Sequence, residues 1–309
     1  MSVEKKGKVV KGLGGLFEVR INKDERLSCH AKGVLRRDEE KVSVGDLVLV
    51  SIDEDTPDGI VISEVLPRKN SLIRPPVSNI DYLFIVFAAK KPSPVIETVD
   101  KLISISEYNK IEPVIVITKS DLSSDAAEEY AKIYRTVGLD TFVTSSDSGE
   151  GISLLLSYIN NNLRNGKTAA FAGASGVGKS TLMNTLFPSL TLRTAEISKK
   201  IERGRHTTRH VEIFDIDNTE ETGFLADTPG FSLVDFARFD FFALEDLEGT
   251  FRDIARYKGE CRYVDCAHVG EGPDECRVAR AAAEGEISES RLSSYREIYR
   301  VLKNKKLYE

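Results

Sequence analysis

The sequence predicts a multidomain chain: an N-terminal all-β barrel, a central α/β domain and a C-terminal α-helical domain. Three observations predict it. Five short strand-like runs separated by glycine turns fill the first 68 residues. From Asp81, short apolar runs alternate with helical periodicity, the pattern of a βαβ array. After about residue 235 strand signals vanish and three of the four cysteines cluster. A chain of 309 residues is long enough for two or three such domains, each with its own core.

In residues 1–68, Lys8–Lys11 and Leu16–Ile21 flank Gly12-Leu-Gly-Gly15, a hairpin signal. Leu27–Leu35, Leu47–Ile52 after the Gly45-Asp46 turn, and Gly59–Leu66 supply the remaining strands. An OB-fold is the expected barrel, although composition alone does not separate it from an SH3-like one. Residues 69–79, with Pro75 and Pro76, read as a linker. In residues 80–234, Leu83–Ala88, Pro113–Thr118, Thr141–Thr144 and Thr168–Ala172 are apolar runs of buried parallel strands. Ile152, Leu155, Leu156, Ile159 and Leu163 share one helical face between them. Strands near Val211–Ile216 and Gly223–Ala226 complete a doubly wound sheet. In residues 235–309, helices are expected at Phe239–Ala243, Leu247–Tyr257, Cys276–Glu284 and Ser288–Leu307.

Composition narrows the class. An apolar fraction of 41% and a charged fraction of 30% suit a soluble protein. No apolar run can span a bilayer and the N-terminus has no signal-peptide pattern, so a cytoplasmic location without membrane partners is expected. Nor do heptads or large apolar repeats appear, so a monomer is expected. The net charge of −6 argues against indiscriminate nucleic-acid binding. Local balances differ: residues 1–41 carry eleven Lys/Arg against seven Asp/Glu, 291–309 six against two, and 196–210 five against two. Such patches fit a few defined contacts with a phosphate backbone, or simple solvated surface.

Gly173-Ala-Ser-Gly-Val-Gly-Lys-Ser180 follows a predicted strand and opens a helix at Thr181, the setting of a phosphate loop. Backbone N–H groups of Gly173, Ala174, Ser175, Gly176, Val177 and Gly178 can close around a β-phosphate. Lys179 would bridge the β- and γ-phosphates, and the Ser180 hydroxyl would ligate Mg²⁺. Asp227-Thr-Pro-Gly230 lies at a strand end 47 residues after Ser180. Asp227 would reach Mg²⁺ through water and the Gly230 N–H would sense the γ-phosphate. Gly204-Arg-His-Thr-Thr208 lies between them, and Thr207 or Thr208 would complete the magnesium shell.

Thr118-Lys-Ser-Asp121 follows another strand. The Asp121 carboxylate can accept from guanine N1–H and the 2-amino group together, and adenine offers neither donor. The Lys119 stem would lie along the nucleotide rings. Ser145-Ser-Asp-Ser-Gly-Glu-Gly151 supplies a backbone N–H, expected from Ser146, for guanine O6. These are the parts of a GTP site, but the base motif precedes the phosphate loop, the reverse of the ordinary order. A circularly permuted GTPase domain is therefore predicted.

Phe231 stands where Ras-like GTPases carry the glutamine that orients water. Slow intrinsic hydrolysis that rises when a partner completes the site is the expectation. His206 is the candidate water-positioning group; contact of Arg205 and His206 with a partner is the other reading. Cys261-x4-Cys266-x-His268-x7-Cys276 provides three thiolates and an imidazole, a closed tetrahedral set for one structural Zn²⁺. Cys29 is expected to be a small core residue.

In the order of these motifs the chain resembles, over essentially its whole length, the ribosome small-subunit-dependent GTPase A family. The matching residues are Thr118–Asp121, Gly173–Ser180, Gly204–Thr208, Asp227–Phe231 and the Cys261/Cys266/His268/Cys276 set. The stretch Val269–Glu275 is longer than the family's usual His-to-Cys spacing. The resemblance implies a factor in late maturation of the small (30S) ribosomal subunit, stimulated by that particle, with 16S rRNA contacts from barrel and zinc domain. A permuted GTPase of the large subunit is one alternative, but it leaves the barrel and cysteine cluster without a role. A nucleotide-gated RNA-binding module with incidental hydrolysis is another. Because Asp227–Phe231 leads directly into the C-terminal domain, GTP is expected to fix that domain's orientation and hydrolysis to free it.

Overall fold

Alternating apolar residues and paired glycines build the N-terminal hairpin first. In the computed structural model β1 (Val3–Leu13) and β2 (Leu16–Arg20) pair antiparallel, with Leu13 opposite Leu16. Gly14 and Gly15 form the two-residue turn at φ of 59° and 86°, the left-handed pair that a primed hairpin turn requires. The structure describes residues 3–33, 35, 41–53, 59–188, 211–217, 219–227 and 235–306. It divides into two compact units: Met1–Leu83 with Ile152–Phe171 and Ser180–Phe231, and Phe84–Gly151 with Ala172–Lys179 and Ser232–Glu309.

In the first unit, β3 (Arg26–Ala31), β4 (Leu47–Ile52) and β5 (Ile60–Val65) complete a five-stranded barrel. β2 pairs with β3, β3 runs parallel to β5, β5 pairs with β4, and β4 returns to β1. That order closes the sheet, with β3 and β5 joined at His30–Val61 and Ala31–Ile62, and is the barrel expected from the sequence. Val9, Val19, Cys29, Val48, Val50 and Ile62 fill its interior. Burial pushes the Cys29 thiol up to about 11, as suits a core residue.

The segment 69–79 is more than a spacer. Its β6 (Ser71–Leu72) and β7 (Val77–Ser78) pair antiparallel. Ser78 Oγ donates to the buried Asp46 carboxylate at 2.5 Å, and Arg68 clamps both Asp46 oxygens at 2.7 and 2.8 Å. Charge-assisted bonds at both oxygens offset the desolvation of that carboxylate.

Beyond the barrel, the first unit contains β11 (Thr168–Ala172), β12 (Glu212–Asp215), β13 (Phe224–Asp227), α3 (Ile152–Asn162) and α4 (Lys179–Leu186). β11 runs parallel to β13, β12 lies antiparallel to β13, and β12 meets β1 where Glu212 faces Lys11. Lys8, Arg20 and Arg26 reach across from the barrel: Lys8 Nζ donates to Gly166 O and Thr168 Oγ1, both at 2.7 Å, and the two arginines bracket Asp215.

The second unit holds β8 (Tyr82–Ala88), β9 (Glu112–Thr118) and β10 (Thr141–Val143), in the order β10-β9-β8, with α1 (Ile96–Tyr108) and α2 (Ser124–Thr136). β9 and β10 are parallel. Leu83–Ala88 and Pro113–Thr118 are buried throughout, which is why they read as continuous apolar runs.

The C-terminal part of this unit is helical but more broken than expected. Its helices are α5 (Arg252–Ala255), α6 (Arg277–Ala283) and α7 (Glu289–Lys306), with single 3₁₀ turns at Leu244–Asp246 and Glu248–Thr250. Phe239–Ala243 is not a helix. Phe241 and Phe242 both pack on Phe236 at 5.1 Å between ring centres, an arrangement of adjacent rings that serves a cluster rather than one helical face. The expected Leu247–Tyr257 helix breaks at Phe251, whose backbone is extended and whose ring is buried against Tyr295.

α7 and α1 are joined by buried charge. Arg291 donates to Asp100 at 2.6 Å and to both Asp253 oxygens at 2.8 and 3.1 Å, and Arg291 and Asp100 are fully buried. Among the described residues no helix is long and apolar enough to cross a membrane.

Candidate nucleotide site and metal centre

The base motif and the phosphate loop meet in the second unit. β9 ends at Thr118, whose Oγ1 donates to Val177 O at 2.5 Å. Lys119 takes a left-handed backbone, φ 57°, and its Nζ donates to Gly176 O at 2.7 Å and Lys91 O at 2.5 Å. The lysine stem passes beneath Gly178, where an added Cβ would lie 3.7 Å from Lys119 Cε. Fifty-odd residues separate Thr118 and Lys119 from Val177 and Gly176, yet two side-chain bonds hold them as one surface.

Asp121 stands in the turn Ser120–Leu122, and Ser145 Oγ donates to its Oδ1 at 2.5 Å. That bond orients the carboxylate, leaving Oδ2 and the remaining Oδ1 lone pair as acceptors. Ser145 is buried and Ser146 half-buried. Ser120 Oγ donates to Glu150 Oε2 at 2.6 Å, a contact that the sequence does not signal because a carboxylate in a polar loop looks like ordinary solvated surface.

The phosphate loop has the backbone its glycines permit. Gly173, Gly176 and Gly178 have φ of 152°, 78° and 94°. Gly173 also lies against β8, so that a Cβ would sit 2.1 Å from Val86 O. Ala174, Ser175 and Gly176 are exposed while Val177 is buried, so the loop is anchored beneath and open above. Lys179 Nζ lies 3.5 Å from Gly173 O, folded back over the loop it follows. α4 begins at Lys179, and its first-turn Ser180 and Thr181 are exposed. The N–H groups of a first helical turn and the helix dipole make such a turn attractive to anions.

In the first unit Asp227 ends β13 opposite Glu212. His206, Thr207, Thr208 and Gly230 lie outside the described residues.

Cys261, Cys266, His268 and Cys276 converge, with ligand atoms all within 4.8 Å of one another, and can hold a metal ion. His268 Nδ1 is 3.5 Å from the Cys261 and Cys266 sulfurs and 3.4 Å from Cys276, and the Cys261–Cys276 sulfurs are 3.8 Å apart. Tetrahedral bonds of about 2.3 Å to sulfur and about 2.0 Å to nitrogen require separations of about 3.8 and about 3.5 Å. The donor set therefore fits such an ion, and the long Val269–Glu275 stretch still delivers Cys276. Burial and the neighbouring sulfur groups push the Cys266 thiol up to about 12, and burial lowers His268. A bound cation reverses the thiol preference by stabilising thiolate. His268 has φ 61°, Arg296 Nε donates to its carbonyl at 3.0 Å, and Glu248 Oε1 lies 3.7 Å from Nε2. Neither flanking residue was marked by the cysteine pattern.

Comparison with known proteins agrees with this geometry. The family model described as RsgA GTPase matches residues 65–237, and that of the RsgA N-terminal domain matches residues 6–61. The "Small ribosomal subunit biogenesis GTPase RsgA" of Alkaliphilus metalliredigens is 38% identical, covering 98% of this chain and 99% of its own. That of Caldanaerobacter subterraneus is 39% identical, covering 97% and 96%. Among solved structures, YloQ, "a circularly permuted GTPase", is similar with a TM-score of 0.76 and 32% identity, covering 98% of this chain and 96% of its own. YjeQ from Thermotoga maritima gives 0.78 and 31%, covering 97% and 99%. The chain belongs to the RsgA GTPase family and is a GTP-hydrolysing enzyme.

Proposed function

We propose that this GTPase acts in late maturation of the small (30S) ribosomal subunit, binding its 16S rRNA and hydrolysing GTP faster on the particle. The observation that carries the reading is the junction of Thr118 and Lys119 with Val177 and Gly176, which joins a guanine-reading turn to a phosphate loop in permuted order. The names of the full-length relatives supply the ribosomal partner.

In this reading Thr118, Lys119, Asp121, Ser145 and Ser146 frame the base, and residues 173–181 hold the phosphates. Ser180, Asp227 and Thr207 or Thr208 serve Mg²⁺. Lys179 and the Gly230 N–H stabilise charge on the γ-phosphate, and His206 positions water. The cysteine–histidine set holds one structural Zn²⁺, which no step of hydrolysis requires. The parts correspond to a barrel (1–68), a linking segment (69–79), the permuted GTPase domain (80–234) and a helical zinc-binding domain (235–309). RNA contact by the barrel is supported by a cavity of about 460 Å³ lined by Phe17, His30 and Lys41 among others, an aromatic and cationic lining suited to an unpaired base. The protein works as a cytoplasmic monomer.

The test is GTP turnover by the full chain alone, with isolated small subunits, and with large subunits. Stimulation by the small subunit only is expected. Turnover indifferent to both particles would remove the ribosomal assignment and leave the GTPase intact.

A further inference from the structure

We propose that Glu150 and Ser120 form a latch that positions the base-reading carboxylate of Asp121, making Glu150 a determinant of guanine selectivity. The inference rests on the assignment of Asp121 to the guanine base above. Two loops must be held in register for that reading: the turn after β9 that carries Asp121, and the loop after β10 that carries Ser145 and Ser146. One is a single 3₁₀ turn, Ser120–Leu122, and the other an irregular loop, so their spacing depends on the bonds between them.

Three bonds close a ring. Ser120 N donates to Thr144 O at 3.2 Å, Ser145 N donates to Glu150 O at 3.0 Å, and Ser120 Oγ donates to Glu150 Oε2 at 2.6 Å. Within the ring, Ser145 Oγ reaches Asp121 Oδ1. Ser120 is only 2% exposed, so its hydroxyl has been taken from water and the Glu150 carboxylate is the acceptor that satisfies it. The loop is shaped to bring Glu150 back. Gly149 N donates to Ser145 O at 2.9 Å, and Gly151, at φ 68°, passes so close under β10 that a Cβ would lie 2.0 Å from Val143 O. The third residue of the base motif and the carboxylate five positions after Ser145 thus form one positioning device. Neither touches the nucleotide in this proposal; they act through Asp121 and the Ser146 N–H.

Lengthening this ring moves the carboxylate away from N1–H and the 2-amino group together. Hypoxanthine keeps N1–H but lacks the 2-amino group, so inosine diphosphate has less to lose. The experiment compares dissociation constants for guanosine and inosine diphosphate, with magnesium, in the full chain and in Glu150→Ala, Ser120→Ala, the double variant and Glu150→Gln. The alanine variants should lose roughly five- to twentyfold in guanosine diphosphate affinity and less in inosine diphosphate affinity. The double variant should be no weaker than either single one. Glu150→Gln, whose amide oxygen can accept the same bond, should stay within about threefold of the unaltered chain. Equal loss for both nucleotides would mean that the latch only maintains the fold, and would overturn positioning. So would an unchanged Glu150→Ala, an additive double variant, or Glu150→Gln as weak as Glu150→Ala. Should the unaltered protein show no preference for guanosine over inosine diphosphate, it is the assignment of Asp121 to the base that fails.

Discussion

Asp121→Asn tests the guanine site with a change of one atom. Ser145 Oγ donates to Asp121 Oδ1 at 2.5 Å, so the introduced amide should place its oxygen there, keep that bond, and turn its NH₂ toward the base. Guanine presents two donors, N1–H and the 2-amino group. The variant loses a charge-assisted acceptor, about 1.5–3 kcal/mol, and sets a donor against a donor, about 1–3 kcal/mol more. A total of about 2.5–6 kcal/mol corresponds to roughly 10²- to 10⁴-fold weaker guanosine nucleotide. Xanthine has a carbonyl in place of the 2-amino group and accepts from the new NH₂, so the preference should invert. Competition of guanosine and xanthosine diphosphates against a fluorescent nucleotide, with melting curves to check folding, reads the ratio directly. A folded variant that keeps its guanosine preference would show that Asp121 does not face the base, and the site assignment would fall with it.

Gly173→Ala should abolish tight nucleotide binding in a titration, because its Cβ would meet Val86 O at 2.1 Å, whereas Gly138→Ala, with a left-handed φ of 84° and open space, should cost only about 1 kcal/mol of stability and no affinity. Cys276→Ser, which can keep the cap to Ala279 N but offers no thiolate, should drop bound zinc from one ion per chain to a small fraction after dialysis and lower the melting midpoint; full retention of metal would remove Cys276 from the ligand set. Lys8 is nearly buried, and desolvation lowers its pKa from 10.5 to about 8. Between those values the unfolded chain binds the extra proton, so this group makes stability rise with pH, by at most about 3 kcal/mol. Urea unfolding should therefore show the unaltered protein gaining on Lys8→Met between pH 8 and 10, and parallel curves would contradict the burial of a charged amine.

Legibility followed the range of the interactions. Gly14-Gly15 marked its hairpin because a two-residue turn is decided locally. Leu83–Ala88, Pro113–Thr118 and Thr168–Ala172 were visible as strands because every residue in them is buried and, apart from the terminal Thr118 and Thr168, apolar. β6 and β7 were invisible in a proline-bearing stretch, being two residues each and set by contacts with Asp46. Phe239–Ala243 and Leu247–Tyr257 misled because their aromatics serve clusters with Phe236 and Tyr295 rather than a helical stripe. At the nucleotide site, motif spacing located Thr118–Asp121 and Gly173–Ser180 at strand ends, where they stand. It could not show that Thr118 bonds Val177, or that Glu150 returns to Ser120, since no local pattern encodes a partner 59 or 30 residues away.

The buried charges bear on how the C-terminal segment can respond to nucleotide. Direct continuation from Asp227–Phe231 into that segment suggested that hydrolysis frees it. Yet Arg291 of α7 is locked between Asp100 of α1 and Asp253, and Arg252 pairs with Glu107 at 2.6 Å and Glu112 at 3.1 Å. Separating α7 from α1 would leave a buried aspartate facing no cation unless water entered, a cost of about 3–5 kcal/mol for a broken buried pair. Loss of a γ-phosphate contact must supply at least that much differential energy before the segment swings away as a body. A smaller response is less costly: α1, Arg291 and the metal-bearing loop, tied to α7 through Arg296 and the His268 carbonyl, move together with these pairs intact. On that account α7 stays docked on α1 whichever nucleotide is bound, because undocking costs more than keeping Arg291 between its two aspartates.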